Sequence, residues 1–327
     1  PRPSPAGRPP ALLVEGTPVV NTQAPVGESV VVDAPAKVVL DLITDPDPLH
    51  YLSPSVVHAD RTDRGGAQDS VTIWTITDDE RVWSRTQDRT LDADGLRVTF
   101  EDTPESSLAG VRGAWVLRAV SEDKTEIELR QDTSALTSPE DLARAESARS
   151  DLLSTVAYAA ANRQELSDLV VDFRDPLFAA GSAEDAYRIL YEADRWPERL
   201  AHVSRIDMTE DVPGIQFFDM DTTTSDGAPH TTRSVRICFP HSKIVYKQIG
   251  LPALLDAHTG HWLFTPTREG IVVESRHVAV IKPSALPILG EGTTVEDARR
   301  YLRRVLSTNS MTNLRLSKEF AEEQARA

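Results

Sequence analysis

The sequence predicts an α+β protein made of two tandem domains, each a seven-stranded antiparallel sheet wrapped around a long C-terminal helix. Most of each half alternates apolar and polar residues between short turns, and each half then closes with a segment of helical period. The two halves also share a register. Arg89 and Arg236, Val98 and Val245, Gly113 and Gly260, and Trp115 and Trp262 are each separated by 147 residues, a spacing of domain size and far beyond a solenoid unit. At 327 residues the chain is long enough for two cores. The expected division is a tail over 1–20, a first domain over 21–166 and a second over 167–327.

The opening PRPSPAGRPP is too rich in proline and small residues to order itself and reads as a flexible tail. Residues 28–33 read as a strand and 35–43 as a short helix with proline in its first turn, followed by the loop DPDPLHYLSPS. Strands are expected near 56–61, 70–77, 81–90, 96–102, 110–120 and 125–132, with a turn at Asp94-Gly95. A helix follows from Ser138, with proline at its first position, acids in its first turn and an apolar stripe of Leu142, Ala145, Leu152, Val156 and Ala159 reaching about Leu166. The second half repeats the order: a strand near 168–174, a helix capped by Ser182, the loop ADRWPERLAH, six strands and a helix over 294–324. In that last helix the stripe Val295, Ala298, Leu302 and Val305 runs into Ser307, Thr308, Asn309, Ser310 and Asn313. Such an interruption suits either a helix crossing into solvent or an Asn309 that lines a wet cavity.

Composition narrows the function. With 51 acidic against 35 basic residues the formal net charge is −16, which repels a nucleic-acid backbone. Cys238 is the only cysteine, so no intramolecular disulfide and no cysteine-based metal site can form, and a buried core thiol in a reducing cytoplasm is expected. No run approaches the roughly 18 apolar residues of a membrane span, so a soluble, cytoplasmic protein is expected.

The strand HTTRSVRICFPHSKIV carries Thr232, Ser234 and Arg236 on one face, turning at Pro240-His241-Ser242. Alone, such a row serves a solvated strand as well as a functional face. Its recurrence as Arg85, Gln87 and Arg89 on RTQDRTLDADGLRV favours a pocket, expected between the concave face of each sheet and its long helix.

Arg195-Trp196-Pro197, the strand end Ser234-Val235-Arg236 and Gly260-His261-Trp262 resemble the aromatase/cyclases of bacterial type II polyketide synthases, which have the helix-grip fold of the START-like superfamily. The resemblance spans both copies from about Glu28 and matches the two-domain subclass that acts on the first ring of an aromatic polyketide. The family's strand pattern is Trp-x-Ser-x-Arg, with the arginine inside the pocket. The second copy keeps Ser234 and Arg236 with Thr232 in the tryptophan position. The first keeps Arg89, has Gln87 and Arg85, and carries Trp83 one inward step earlier. It also has Asp47-Pro48-Leu49-His50-Tyr51 where the second has Arg195-Trp196-Pro197, so it lacks that indole.

The resemblance implies an aldol ring closure and loss of water, which need folding of the chain, an oxyanion holder and a modest base, with no metal, nucleotide or other cofactor. Arg236, and Arg89 in the first copy, suit the oxyanion role because guanidinium stays cationic. Ser234 would orient a water or the leaving hydroxyl. For proton transfer the candidates are His230, His258, His261 and His277. Parity favours His230, although after Gly227-Ala228-Pro229 it equally suits a surface turn, and His261 should face away from Trp262. Substrate contacts are expected from Trp196, Thr232, Trp262 and Asn309, and in the first copy from Gln87, Trp83 and Trp115, with Phe217 and Phe264 as further apolar walls.

The implied substrate is a C9-reduced, C7–C12 cyclised intermediate on an acyl carrier protein, or alternatively an unreduced poly-β-ketone. A START-like carrier of a hydrophobic ligand, without chemistry, is the reading from another class. An acidic carrier would need a basic patch, for which Arg299, Arg300, Arg303 and Arg304 share one flank of the last helix, a flank that Glu296 and Asp297 could equally neutralise.

Overall fold

Alternating strands and two late helices place the chain into two sheets in a computed structural model that describes residues 26–201, 203–223 and 229–327. The expected tail lies outside the described residues. The first half contains β1 (Val26–Val32), α1 (Ala36–Thr44), α2 (Leu49–Leu52), β2 (Val56–Gly65), β3 (Gln68–Ile76), β4 (Val82–Asp92), β5 (Arg97–Asp102), β6 (Arg112–Ser121), β7 (Lys124–Asp132) and α3 (Pro139–Ala161). A connecting helix, α4 (Arg163–Leu169), contains the expected boundary at 166/167.

The second half has β8 (Val170–Ala179), α5 (Ala183–Tyr191), a 3-10 turn (Ala193–Arg195), α6 (Trp196–Arg199), β9 (Val203–Val212), β10 (Ile215–Thr223) and β11 (Pro229–Phe239). It continues through β12 (Lys243–Gly250), β13 (Leu255–Pro266), β14 (Ile271–Ile281), a second 3-10 segment (Pro283–Leu289) and α7 (Val295–Gln324). Both sheets are antiparallel with seven strands and the same order: β1-β7-β6-β5-β4-β3-β2 and β8-β14-β13-β12-β11-β10-β9. The long helix of each half closes the concave side.

Caps form as the sequence expects. Ser138 accepts from the Asp141 N–H at 3.4 Å and Ser182 from the Asp185 N–H at 3.0 Å. Thr294 and Asp297 form a reciprocal capping box. The first long helix stops at Ala161 rather than Leu166, because Asn162 leaves helical geometry before α4 restarts. Its buried stripe includes Leu153, while Leu142 and Leu152 are half-buried.

One shared anchor is corrected. Arg89 pairs with Phe100, but Arg236 pairs with Tyr246, so the first hairpin holds one more residue than the second. Val98 is therefore the counterpart of inward-facing Ile244, both lying opposite the shared tryptophan, and not of Val245. The extra residue is lost again before β6, and Gly113 and Gly260 return to register opposite Phe100 and Tyr246.

The convex face of the second sheet is not free surface. Val57, Trp74, Ile76 and Val82 of the first half share an apolar cluster with Phe217, Val235, Ile237 and Val245. Around it Lys247 Nζ donates to the carbonyls of His50, Ser53 and Val56 at 2.6–3.0 Å. Burial lowers that ammonium to about 7. Arg276 forks onto Asp47 at 2.8–2.9 Å, and Lys243 reaches Asp60 at 2.6 Å. A polar cleft of about 210 Å³ lies between the halves, lined by His50, His58, Asp60, His261 and Arg276 among others.

Candidate active site in the second domain

Period-2 geometry sets successive inward residues of β11 to β14 in transverse rows. Arg236, Tyr246, Gly260 and His277 form one, and Cys238, Ile244, Trp262 and Ser275 the next. Thr232, Ser234 and Arg236 do share the inward face, each at most 4% exposed. The Cys238 thiol is free and buried, as expected.

Arg236 is wholly buried and most of its donors are committed. Nη1 donates to the Leu190 carbonyl at 2.8 Å and Nη2 to that of Tyr191 at 2.7 Å, so the guanidinium terminates α5. Nε and Nη2 also donate to Gln216 Oε1. Trp196 and Phe218 flank the guanidinium plane at 5.4 and 5.3 Å. Arg89 does the same at the end of α1, donating to the carbonyls of Ile43 and Thr44 and forking onto Asp69. Both arginines are thus clamps between short helix and sheet. Four of the five N–H groups of each guanidinium are committed in this way, which leaves one on Nη1 for the oxyanion role expected of them.

The first-domain interior is filled by charge pairing. Arg85 forks onto Asp102 at 2.7 Å, and Gln87 and Ser106 donate to the same carboxylate. Gln87, expected to contact substrate, is part of this network through its Nε2, 3.4 Å from Asp102 Oδ2. Trp115 is a buried core residue packed with Phe100, Leu117 and Leu129. Trp83 is half-buried between Arg144 at 3.9 Å and Arg81 at 5.4 Å.

Buried polar atoms without a partner among the described residues occur in both halves, with Trp83 Nε1, Arg85 Nη1, Gln131 Oε1 and Arg149 Nε in the first and Arg199 Nη1 on α6 in the second, but in the second they also line the concave face. Thr232 Oγ1, Trp262 Nε1, Ser275 Oγ, His277 Nε2 and Asn313 Oδ1 are buried without a hydrogen-bond partner among the described residues. Native interiors rarely leave so many polar atoms unmatched unless a ligand or water completes them. Trp196 is core, its Nε1 donating to the Ile189 carbonyl at 3.2 Å and its ring edge-on to Trp262 at 6.2 Å.

Two imidazoles and a phenol complete this face. The Tyr246 hydroxyl lies 2.7 Å from His277 Nδ1 and 3.4 Å from His258 Nε2, and His258 Nδ1 is 2.8 Å from Gln248 Oε1. Burial lowers His258 to about 4 and holds His277 well below its ordinary value, while it raises the Tyr246 phenol. Tyr246 is absent from the expected site, although a three-residue turn at Pro240, His241 and Ser242 pairs it with Arg236.

His261 faces the interdomain cleft, as parity predicts. The side chain of His230 lies outside the described residues. Asn309 is exposed, which corrects its expected cavity role. The helical repeat instead turns Ser310, Asn313 and Ser317 inward, one position on from the choice made along the stripe. On α7, Arg299 donates to the carbonyls of Asp168 and Val170, Arg300 pairs with Glu296 and Asp297, and Arg303 pairs with Asp175.

Residues 23–162 match the family model of polyketide cyclase/dehydrase and lipid transport proteins. The actinorhodin polyketide synthase bifunctional cyclase/dehydratase of Streptomyces coelicolor is 37% identical over 298 residues, covering 86% of this chain and 92% of that protein. The chain belongs to the family of two-domain polyketide aromatase/cyclases. The granaticin polyketide synthase bifunctional cyclase/dehydratase of Streptomyces virginiae is similar at 34% identity, over 85% of this chain and 94% of that protein. Among solved structures, the di-domain aromatase/cyclase StfQ of the steffimycin biosynthetic pathway is 50% identical with a TM-score of 0.87, covering 92% of this chain and all of that one. BexL of the BE-7585A pathway gives 33% and 0.78 over the same share of this chain. This aromatase/cyclase is therefore a bifunctional cyclase/dehydratase of type II polyketide synthesis with the helix-grip fold in both halves. Among the described residues no helix is long and apolar enough to cross a membrane.

Proposed function

We propose that the chain dehydrates and aromatises the first ring of a carrier-bound polyketide, a C9-reduced intermediate already closed between C7 and C12, on the concave face of the second sheet. The observation that carries this is the set of five buried, unpartnered polar atoms there. Three of them can donate: the Thr232 and Ser275 hydroxyls and the Trp262 indole N–H. They complement the carbonyl and hydroxyl oxygens that recur along a poly-β-ketone. Asn313 Oδ1 and His277 Nε2 can accept, which suits a hydroxyl or an acidic carbon. The word dehydratase in the names of the relatives fits a substrate that still carries a hydroxyl to lose.

With the alternative substrate, an unreduced poly-β-ketone, the ring must also be closed, which breaks a C–H bond between two carbonyls and forms a C–C bond to a distant carbonyl carbon. Holding the chain bent so that these atoms meet supplies much of the acceleration, up to ~7–11 kcal/mol. Trp262 and Phe264 give the flat, apolar wall for such a fold, and Ser234 stands beside Arg236 on the same face to orient the departing water. Arg236 acts at one remove, by fixing the end of α5 against Trp196 and Phe218.

The test is the full chain added to a reconstituted minimal synthase with and without a ketoreductase. The expected outcome is a shift to first-ring-aromatised product in the reduced system, at enzyme well below product. Thr232→Val and Ser234→Ala should reverse it while Gln87→Ala leaves it standing. Equal loss from Gln87→Ala would move the reaction to the first domain. On the carrier side, Arg300, Arg303 and Arg304 are the exposed cations of the α7 flank, the first two paired with carboxylates, and charge reversal at Arg304 is expected to slow carrier-bound substrate more than a free analogue.

A further inference from the structure

Resting on the second domain as the reaction site, the hydrogen bonds around Tyr246 decide which atom takes the proton. Gln248 Oε1 can only accept, so His258, 2.8 Å away through Nδ1, carries its proton on Nδ1 and presents a lone pair at Nε2. The Tyr246 hydroxyl has one proton to give. Given to His258 Nε2 at 3.4 Å, it leaves the phenolic oxygen to accept from His277 Nδ1–H at 2.7 Å, and every group between Gln248 and His277 is matched. Given instead to His277, it strands the His258 lone pair in a fully buried position, the arrangement that folded interiors avoid. The matched arrangement ends in a free lone pair at His277 Nε2, which is buried and has no partner among the described residues.

We propose that His277 Nε2 is the catalytic base of this enzyme, with Tyr246, His258 and Gln248 as the positioning residues that hold it in the Nδ1–H tautomer. With the unreduced alternative substrate, ring closure begins as Nε2 takes the proton of a methylene flanked by carbonyls. The electron pair left behind forms the C–C bond, and the carbonyl oxygen that was attacked takes the proton back from the imidazolium. In dehydration Nε2 removes a ring C–H proton, the carbon–carbon double bond forms, the C–O bond breaks, and the departing hydroxyl leaves as water with that proton. Neither step consumes an oxidant or a reductant.

Two further observations converge. A Cβ at Gly260 would lie 2.0 Å from the Arg276 carbonyl oxygen and 2.5 Å from the Tyr246 hydroxyl oxygen, so glycine leaves room for the ring that crosses β13 toward His277, as Gly113 does for Phe100 in the first domain. In the first domain the matching positions are Phe100, Val111 and Gln131, with no phenol and no imidazole, so the device exists once. The groups facing His277 are His258 on β13, Tyr246 on β12, Asp175 on β8 and Arg303 on α7, with His261 farther out. Burial, His258, Arg303 and His261 disfavour the imidazolium and Asp175 favours it, which keeps the ring neutral at pH 7.

The experiment begins with the full-length protein labelled with 15N-histidine. Long-range 1H–15N correlation at pH 7 is expected to show His258 and His277 both as Nδ1–H tautomers, and a proton on His277 Nε2 would overturn the proposal. In the reconstituted synthase, His277→Gln is expected to lower formation of aromatised product about 100-fold. Its thermal midpoint and its binding of a soluble polyhydroxylated anthraquinone should stay near wild type. Tyr246→Phe should lose less and shift the pH–rate profile, which a merely structural hydroxyl would not do. Wild-type protein that leaves the product pattern untouched removes the proposed function itself. Wild-type activity matched by His277→Gln removes only the assignment of the base.

Discussion

Arg89 and Arg236 occupy one place in the repeat, yet they are balanced differently. Arg89 faces the carboxylate of Asp69, whereas Arg236 faces the neutral amide of Gln216, whose Nε2 donates to Glu210 at 2.7 Å. The second copy therefore sets its negative charge one residue farther out, where Tyr191 also donates to it. Two outcomes follow from this arrangement. Arg236→Ala should destabilise by roughly 3–5 kcal/mol, since it orphans two helix-end carbonyls and an amide oxygen in a dry site. Denaturant unfolding checks it, and a variant of native stability would return the arginine to a purely catalytic role. Gln216→Glu should also destabilise, although the first copy tolerates a carboxylate there, because it would place like charge against Glu210. Native stability in that variant would show that the amide link to Glu210 carries no weight.

At the scale of elements, α7 both closes the fold and turns polar residues toward the second sheet. Its start is fixed by the reciprocal bonds of Thr294 and Asp297, and Thr294→Ala is expected to cost about 1 kcal/mol, read as a lower midpoint of thermal unfolding. Farther along, the inward positions turn polar. Ser317 donates to the Ala186 carbonyl at 2.8 Å and ties α7 to α5, but Asn313 Oδ1 has no partner among the described residues. Asn313→Leu should therefore raise the melting temperature while lowering aromatised product, since it removes an unmatched polar atom that serves the ligand rather than the fold. A melting temperature that falls would mean that the amide already has a structural partner.

Across the whole molecule, the first domain acts as the wall behind the second sheet. Arg276, Lys243 and Lys247 reach over from the convex face to Asp47, Asp60 and the carbonyls at the end of α2. Burial alone would raise the Asp47 and Asp60 carboxyls. Hydrogen bonds from His50 and Arg276 in one case, and from His58 and Lys243 in the other, outweigh it and hold both well below the usual carboxylate range. A lowered folded-state value means that the unfolded chain binds more protons, so this stability is present above pH about 4 and is lost as acid protonates the pair. Melting curves between pH 6 and 3 should fall steeply for the wild type and less steeply for Asp47→Asn with Asp60→Asn; parallel curves would remove these contacts from the acid response.

Fold and family were legible in the sequence because alternation, capping residues and a repeat of 147 residues are local or periodic signals, and the strands near Arg89 and Arg236 formed with their inward rows as expected. The site was legible only in outline. Thr232, Ser234 and Trp262 were reachable by parity, since a strand alternates faces without reference to anything distant. Which inward group is free and which is spent depends on partners far away in the chain. Arg236 is largely taken up by carbonyls about 45 residues before it, Arg85 by Asp102, and Asn309 loses its place to Asn313 through the helical angle alone. The Tyr246–His258–His277 contact joins three strands, and the apolar outer face of Val235, Ile237 and Val245 is explained only by the first domain lying against it. Local physics wrote the elements, while the competition for buried hydrogen bonds, settled only when the elements met, decided which residues remain for chemistry.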